Sequence, residues 1–586
     1  MKEILSGNEA IARGAYENSV KVALAYPGTP STEILENIAQ YPHIKSSWSP
    51  NEKVALEVGF GASLGGARTL VAMKHVGLNV AADPFMTLSY TGVGGGLVLV
   101  SADDPGMHSS QNEQDNRYYA RMAHIPLLEP SDSQECKDYT GLALKISEEF
   151  DTPVMLRTTT RVSHSRSTVE LGEPTPLELK PYQKNKEKYV MLPGFARLRQ
   201  QAIRERLDNL REYAETTPLN RLEWGDKEVG IITSGICYQY VKETLPEVSI
   251  LKLGLTYPIP SKLILAFAAE VKNLFVVEEL GPFIEEQLKV MGLNVRGKDL
   301  FPSFGELSPA LIASKIGNIS REIVAYDKEG QLPARPPMLC PGCPHRGVFY
   351  ALKRLKVNVA GDIGCYTLGA LPPLEAMDSC LCMGASIGTA LGMEMADQDS
   401  QKKTVAVIGD STFFHSGITP LIDVIYNKGN TTVIILDNST TAMTGHQEHP
   451  GTGKTLRGEA TSAIDLETLV KALGVKRVFV SNPLDLEQTE NMIKTELMKQ
   501  EPSVIIARQV CVLKQKEKRL PFKVVSELCT GCKSCLRPGC PAMSLYKINS
   551  KEDQKIKNKV QIDPNLCSGC GLCSQLCTQE AIRKHQ

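Results

Sequence analysis

No stretch of this chain approaches the ~18–20 consecutive apolar residues that a membrane-spanning helix needs, which argues against an integral membrane protein of that kind. Nor does one sign of charge prevail. Lys+Arg number 65 against 66 Asp+Glu, so the electrostatic footprint of a nucleic-acid or membrane-surface binder is missing. The opening Met1 to Gly7 has neither the apolar core of a secretion signal nor an Arg-rich transit pattern, so a cytoplasmic protein is the expectation. Residues 1–510 hold only seven cysteines, whereas the last 76 residues hold nine. In a reducing compartment, such clustering argues for metal rather than disulfides.

What is present is ordinary globular composition in a chain too long for one core. Hydrophobic residues make up 42% and charged residues 22% of 586, which calls for several folding units. In residues 1–165, short apolar runs (Val20 to Tyr26, Thr69 to Met73, Leu97 to Ser101) alternate with helical stretches (Ser31 to Ala39, Asn51 to Leu64), the pattern of an α/β layer. Residues 166–226 are charged and Pro-dotted, with one helical stretch from Phe195 to Tyr213, and read as a linker. A second α/β unit at 227–332 has strands predicted at Val229 to Thr233, Ser249 to Leu253 and Asn273 to Val277. The Pro-rich run Pro333 to Pro337 forms a stiff joint. A third α/β unit, 338–515, has predicted strands Thr404 to Ile408, Thr431 to Leu436 and Ser503 to Ala507. A charged hinge, Lys514 to Arg519, leads to a Cys-rich module at 520–586.

That module carries the strongest signal. Cys529, Cys532 and Cys535 are followed by Cys540-Pro541, and the pattern returns as Cys567, Cys570, Cys573 and Cys577. Each CxxCxxC loop can grip three corners of a cubane, and the fourth Cys of each run serves the other cluster. One [4Fe–4S] cluster is therefore expected on Cys529, Cys532, Cys535 and Cys577, the other on Cys567, Cys570, Cys573 and Cys540. Zinc sites pair CxxC with a distant CxxC or His and do not need triple runs. The module resembles bacterial-type two-cluster ferredoxins along its whole length. Four residues, rather than three, separate Cys535 from Cys540, and Thr578 replaces the usual Pro.

In the third α/β unit one strand ends in Gly409-Asp410-Ser411, and the next ends 28 residues later at Asn438. A strand ending in Gly-Asp sets a carboxylate at the edge where ligands bind in open α/β sheets. The spacing resembles the thiamine-diphosphate motif. That resemblance implies Mg²⁺ held by Asp410, Asn438 and the main-chain carbonyl of Thr440, an oxygen set suited to Mg²⁺ bound through phosphates. Ser411 stands in place of the motif's last Gly, and Asp437 in place of its first Asn. Gly451 to Thr455 mimics a phosphate loop, but Glu448 occupies the position where the first Gly is required.

Asn51-Glu52-Lys53-Val54-Ala55, followed by a small-residue helix, looks like the start of the helix whose Glu bonds the aminopyrimidine in thiamine enzymes. Glu52 is the candidate for that role; the alternative is a helix-start Glu favoured by the macrodipole. Tyr26-Pro27-Gly28-Thr29-Pro30-Ser31 looks like the YPxTPS loop of the 2-oxoacid:ferredoxin oxidoreductases, whose Thr meets the substrate carboxylate, a role that falls to Thr29. Arg117 or Arg121 is the candidate for a second carboxylate contact, against an exposed helix face.

Taken together, the chain resembles the thiamine-diphosphate-dependent 2-oxoacid:ferredoxin oxidoreductases over essentially its whole length. Its domain order is that of the alpha subunits of the indolepyruvate branch. The resemblance implies a multidomain α/β fold: a pyrimidine-binding-type domain, a transketolase C-terminal-like domain, a diphosphate-binding domain and the ferredoxin module. It implies ferredoxin-dependent oxidative decarboxylation of arylpyruvates to aryl-acetyl-CoA, with a smaller beta subunit, coenzyme A and an external ferredoxin as partners, and neither nucleic acid nor membrane. A sister enzyme acting on pyruvate or another 2-oxoacid would share every motif, and an electron-transfer adaptor would need only the tail. Cys340, Cys343, Cys365 and Cys511 leave two readings open. Related oxidoreductases keep a further [4Fe–4S] cluster near thiamine on such a pattern, whereas lone cysteines often only fill cores.

Overall fold

A computed structural model describes residues 1–177, 180–317, 336–396, 403–516, 519–547 and 558–585. The Pro333 to Pro337 joint and the Lys514 to Arg519 hinge lie partly outside the described residues. The chain divides into two compact units, Met1–Asp327 and Lys328–Gln586.

The first unit is built on a seven-stranded sheet. Its order is Leu255–Tyr257, Leu127–Leu128, Val154–Thr159, Leu97–Asp103, Thr69–Lys74, Val22–Ala25, Lys45–Trp48, and all but the first strand run parallel. Strands buried on both faces read as continuous apolar runs. Leu97–Asp103 and Thr69–Lys74 are buried at every position. After Val22–Ala25 the chain lays down one neighbour, Lys45–Trp48, then crosses to Thr69–Lys74 on the other side. The order therefore reverses between Val22–Ala25 and Thr69–Lys74, the kind of switch point beyond whose carboxyl ends ligands bind in open α/β sheets. A smaller sheet holds Asn273–Val277, Asp226–Ser234 and Val248–Leu253 in parallel, with Arg221–Glu223 antiparallel at its edge.

The segment read as a linker is integrated into this unit. Arg166–Glu170 pairs antiparallel with Lys2–Ser6. The helix Pro193–Thr216 buries Ile203, Leu207, Leu210 and Ala214, a helical stripe that needs an apolar partner. Leu255–Tyr257, from the middle α/β segment, completes the edge of the first sheet.

Arg117 lines a pocket of the first unit with Glu129, Arg157, Ser234 and Glu279, but its guanidinium is already taken up within the fold. It is 1% exposed and held on all sides: Asp115 accepts two bonds at 2.6 and 2.8 Å, Glu278 one at 2.7 Å, and the Glu279 and Gly281 carbonyls one each. Its role is to tie the first sheet to the middle α/β segment, while Arg121 lies on an exposed helix face. Removing one partner of a buried ion pair costs about 3–5 kcal/mol, because the other charge stays buried. Arg117→Ala should lower the unfolding free energy of this unit by that amount. Trp48 and Trp224, the only two tryptophans, both lie in it, so denaturant titration followed by tryptophan fluorescence reads the loss.

The second unit carries a six-stranded all-parallel sheet. Its order is Ser379–Cys380, Asn358–Gly361, Thr404–Gly409, Thr432–Asp437, Ser503–Arg508, Arg477–Ser481. Here the order reverses between Asn358–Gly361 and Thr404–Gly409. The Cys-rich module adds two antiparallel ladders, Phe522–Val524 with Ile582–Lys584 and Met543–Lys547 with Asn558–Ile562. Among the described residues no helix is long and apolar enough to cross a membrane.

Candidate functional site

In the second unit, the loops beyond the reversal point gather the candidates for diphosphate and metal. Asp410 ends its strand, 2% exposed. One carboxylate oxygen accepts the Ser411 N–H at 2.8 Å; the other accepts the Ser439 N–H at 2.8 Å and lies 3.2 Å from His449 Nε2. Asp437 ends the next strand, bonded by Arg508 at 2.7 Å. Burial raises the Asp437 pKa, and the nearby Asp410 charge raises it further. Asn438 follows, its amide oxygen accepting the Thr440 N–H at 3.1 Å and its amide nitrogen 3.4 Å from His345 Nε2. Asp410, Asn438 and Thr440 thus stand together, Ser439 bridging the two loops. Directly after Asp410–Thr412 the helix widens to a π-turn, Phe413–Gly417, a distortion frequent at functional sites.

The residues fit Mg²⁺ and a diphosphate in kind. Carboxylate, amide and carbonyl oxygens are hard donors, and two facing carboxylates leave negative charge for a dication to neutralise. Sequence reasoning missed Asp362, at the end of Asn358–Gly361. Its buried carboxylate accepts the N–H groups of Ile363, Gly384 and Ser386 at 2.8, 2.9 and 3.0 Å and so fixes the far wall of the crevice. Burial keeps its pKa raised against those three bonds. His345, also missed, is pushed by burial down to about 4, so it is neutral beside Asn438 at physiological pH.

The tail cysteines line two cavities. One of about 350 Å³ is lined by Cys529, Cys532, Cys535 and Cys577. The other, about 440 Å³, is lined by Cys540, Cys567, Cys570 and Cys573, and also by Cys535. The fourth cysteine of each run therefore stands at the other run's cavity. Among the described residues no group of three or more His, Cys, Asp or Glu converges tightly enough for a single ion. A cubane spreads its four ligands farther apart than one ion does. Burial raises the Cys535 thiol to about 11, and Cys577 and Cys532 raise it further.

Cys340, Cys343, Cys365 and Cys511 also come together. Burial pushes Cys343 up to about 12, with Cys340 and Cys365 among its neighbours. Cys365 rises to about 11 by burial, with Cys511 and Cys340 beside it. Arg346 joins this group to the tail. It donates to the Pro538 carbonyl at 2.8 Å, to Gly539 at 2.6 Å, to Cys340 at 3.1 Å and to the Leu339 carbonyl. Gly342, at positive φ, brings the Cys340–Cys343 turn against Ser568, and no Cβ would fit there.

In the first unit, Thr29 sits half-buried in the loop after Val22–Ala25, its carbonyl accepting the Ser109 hydroxyl at 3.3 Å. Glu52 opens the helix Glu52–Leu64, which Asn51 caps through the Val54 N–H at 2.9 Å. It is 4% exposed, so it is not the surface helix-start Glu of the bland alternative. A Cβ at Gly77 would fall 2.5 Å from its carboxylate.

Three family descriptions match. "Pyruvate flavodoxin/ferredoxin oxidoreductase, thiamine diP-bdg" covers residues 13–218, "Thiamine pyrophosphate enzyme, C-terminal TPP binding domain" 362–507, and "4Fe-4S binding domain" 560–583. The chain is 42% identical to indolepyruvate oxidoreductase subunit IorA of Pyrococcus horikoshii, over 100% of this chain and 97% of that one. It is 41% identical to the same subunit of Archaeoglobus fulgidus over 99% and 97%. The 2-oxoglutarate synthase subunit KorA of Archaeoglobus fulgidus is more distant, 25% identical over 51% of this chain and 95% of that one.

A charged hydrogen bond contributes about 1.5–3 kcal/mol, so losing the Arg346 bonds should loosen the tail from the Cys340 loop. In Arg346→Ala, amide exchange in residues 519–547 and 558–585 should quicken by roughly 10- to 100-fold while the six-stranded sheet keeps its protection. Exchange mass spectrometry reads both at once.

Proposed function

The chain belongs to the family of indolepyruvate oxidoreductase subunit IorA, and from that premise we propose how its residues carry out ferredoxin-dependent oxidative decarboxylation of indolepyruvate-type 2-oxoacids. The observation that carries the reading is identity above 40% across the full length of IorA proteins, together with thiamine-diphosphate and 4Fe–4S domains on one chain. In the balanced reaction, 2-oxoacid, coenzyme A and two oxidised ferredoxins give acyl-CoA, CO₂, two reduced ferredoxins and a proton. A smaller beta subunit completes the enzyme, and its place is cytoplasmic, where thiolate ligands stay reduced.

Bound thiamine diphosphate supplies the carbon nucleophile and the electron sink for decarboxylation. Asp410, Asn438 and the Thr440 carbonyl hold Mg²⁺ against its diphosphate. Glu52 holds a proton on the aminopyrimidine, and Thr29 orients the substrate carboxylate. Cys529, Cys532, Cys535 and Cys577 bind one [4Fe–4S] cluster, and Cys567, Cys570, Cys573 and Cys540 a second. Cys340, Cys343, Cys365 and Cys511 bind a third, which supplies the relay between the thiamine site and the tail. Support comes from the two Cys-lined cavities and from the position of Arg346 between the Cys340 turn and the loop of Cys540.

The decisive assay is a 2-oxoacid panel with the co-expressed partner subunit and ferredoxin. Indolepyruvate should have the highest kcat/KM, and preference for pyruvate or 2-oxoglutarate would overturn the substrate assignment. On indolepyruvate, Glu52→Gln should lose about 10²–10⁴-fold in kcat with thiamine diphosphate still bound, whereas Asp410→Ala should lose the cofactor itself.

Iron content tests the ligand sets. The anaerobically reconstituted wild-type chain should hold about twelve irons, and Cys532→Ser, Cys570→Ser and Cys365→Ser should each lose about four and a different low-temperature EPR signal. Eight irons in the wild type, unchanged in Cys365→Ser, would leave the relay to the tail alone.

A further inference from the structure

One buried charge in the first unit makes no ion pair among the described residues. Lys74 ends the strand Thr69–Lys74 and is 8% exposed. Its ammonium donates to the Ser109 carbonyl at 2.7 Å and lies 3.5 Å from the Ser109 hydroxyl. Among the described residues no carboxylate oxygen is within 4 Å of it. The one acid it feels, Asp104, is already bonded by the Ser109 N–H at 2.9 Å, the Ser110 hydroxyl at 2.5 Å and the Thr160 hydroxyl at 2.7 Å. Buried ammonium groups are ordinarily paired, because leaving water is costly for a charge.

Its position says which anion is missing. Thr69–Lys74 and Val22–Ala25 are the two strands between which the sheet order reverses, so Lys74 and the Thr29 loop stand side by side at the edge where open α/β sheets bind ligands. A Cβ at Gly28 would stand 3.0 Å from the Lys74 Cβ, so the lysine stem runs alongside the residue preceding Thr29. Ser109 ties the two together, bonding the Thr29 carbonyl through its hydroxyl and Lys74 through its carbonyl.

We propose that the Lys74 ammonium binds the carboxylate of the 2-oxoacid substrate beside Thr29. The assignment rests on the 2-oxoacid reading above and extends it to a specificity-determining cation. Burial lowers the Lys74 pKa to about 8, and the Asp104 charge opposes that shift. Burial lowers the pKa of the other ionisable neighbour, His75, and the Asp103 charge opposes that shift. The binding form is the ammonium, so affinity is present below about pH 8 and is lost as pH rises through it.

The test uses the assembled holoenzyme with its partner subunit. Lys74→Met should raise KM for indolepyruvate and lower kcat/KM about 10- to 100-fold, with thiamine diphosphate content unchanged. Its melting temperature should hold or rise, since Met fills the same space without a buried charge. Lys74→Arg should recover most of kcat/KM and move the alkaline limb of its pH profile, near pH 8 in the wild type, to higher pH. Wild-type KM in Lys74→Met, or an alkaline limb unmoved in Lys74→Arg, would overturn the proposal. Calorimetry with unreactive indole-3-propionate and its neutral amide separates this inference from the functional reading. Wild type should bind the acid and not the amide, and Lys74→Met should bind neither. An enzyme that oxidises no 2-oxoacid yet shows this pattern loses the reaction and keeps the lysine; equal binding of the acid by both proteins removes the lysine.

Discussion

Parallel strand pairing sends every carboxyl end of a sheet to the same edge, and the candidate chemistry of this chain hangs from two such edges. In the second unit Asp362, Asp410, Asn438 and Cys511 each follow directly, or within a few residues, the end of a parallel strand. In the first unit Thr29 and Asp104 do the same, and Lys74 is the last residue of its strand. The strands are held rigidly because their residues are buried on both faces, so the loops inherit fixed starting points. What those loops then need is local anchoring. The carboxylates of Asp362 and Asp410 provide it by accepting main-chain N–H groups from segments distant in sequence.

The Cys-rich module solves a different problem, having little core of its own. Its apolar cluster is Phe522, Cys535, Val560 and Ile582, with four further cysteines packed around it. A domain so small leans on metal or on a neighbour. The neighbour is the six-stranded unit. Leu572 and Cys570 join its core cluster, Gln575 exchanges bonds with Leu484 and Leu486, and Arg346 fixes the Pro538 and Gly539 carbonyls. Docking on this side brings the cavity of Cys540, Cys567, Cys570 and Cys573 against the Cys340–Cys343 turn, while Cys535 borders both tail cavities. Three groups of cysteines therefore follow one another through shared walls.

Much of this was legible because it depends on local periodicity and spacing. The apolar run Thr404 to Ile408 is the strand Thr404–Gly409, Asn273 to Val277 is a strand with those very ends, and Asn51 to Leu64 gives the helix Glu52–Leu64 with Asn51 as its cap. CxxCxxC spacing located both cavities without any knowledge of the ladders around them. What escaped was determined by residues far apart in the chain. Leu255–Tyr257 is too short to signal membership of a sheet whose other strands end a hundred residues earlier. Arg117 resembled a helix-face arginine because Glu278 and Gly281 lie 161 and 164 residues on. Arg346 gave no sign either, since its tail partners are 192 and 193 residues away.

Three buried cations show how structure separates roles that composition cannot. Arg117 meets two carboxylates and two carbonyls, so its charge is neutralised from within and its planar fork is filled; such a residue stabilises by joining segments. Arg346 faces four carbonyl oxygens and no carboxylate. Its charge is met only by partial charges and by the cysteines around it, Cys540, Cys343, Cys340 and Cys570, and burial lowers its pKa. Thiolates or a cluster on those cysteines would supply the missing negative charge, which couples the docking of the tail to its metal content. Lys74 has the least compensation, one carbonyl and one hydroxyl with the Asp104 charge farther off, beside the Thr29 loop. A buried point charge so placed either gives up its proton more readily, as the lowered Lys74 pKa shows, or is stabilised by an anion from solution. Internal compensation falls in order from Arg117 through Arg346 to Lys74, and the proposed anion falls to the least compensated of the three.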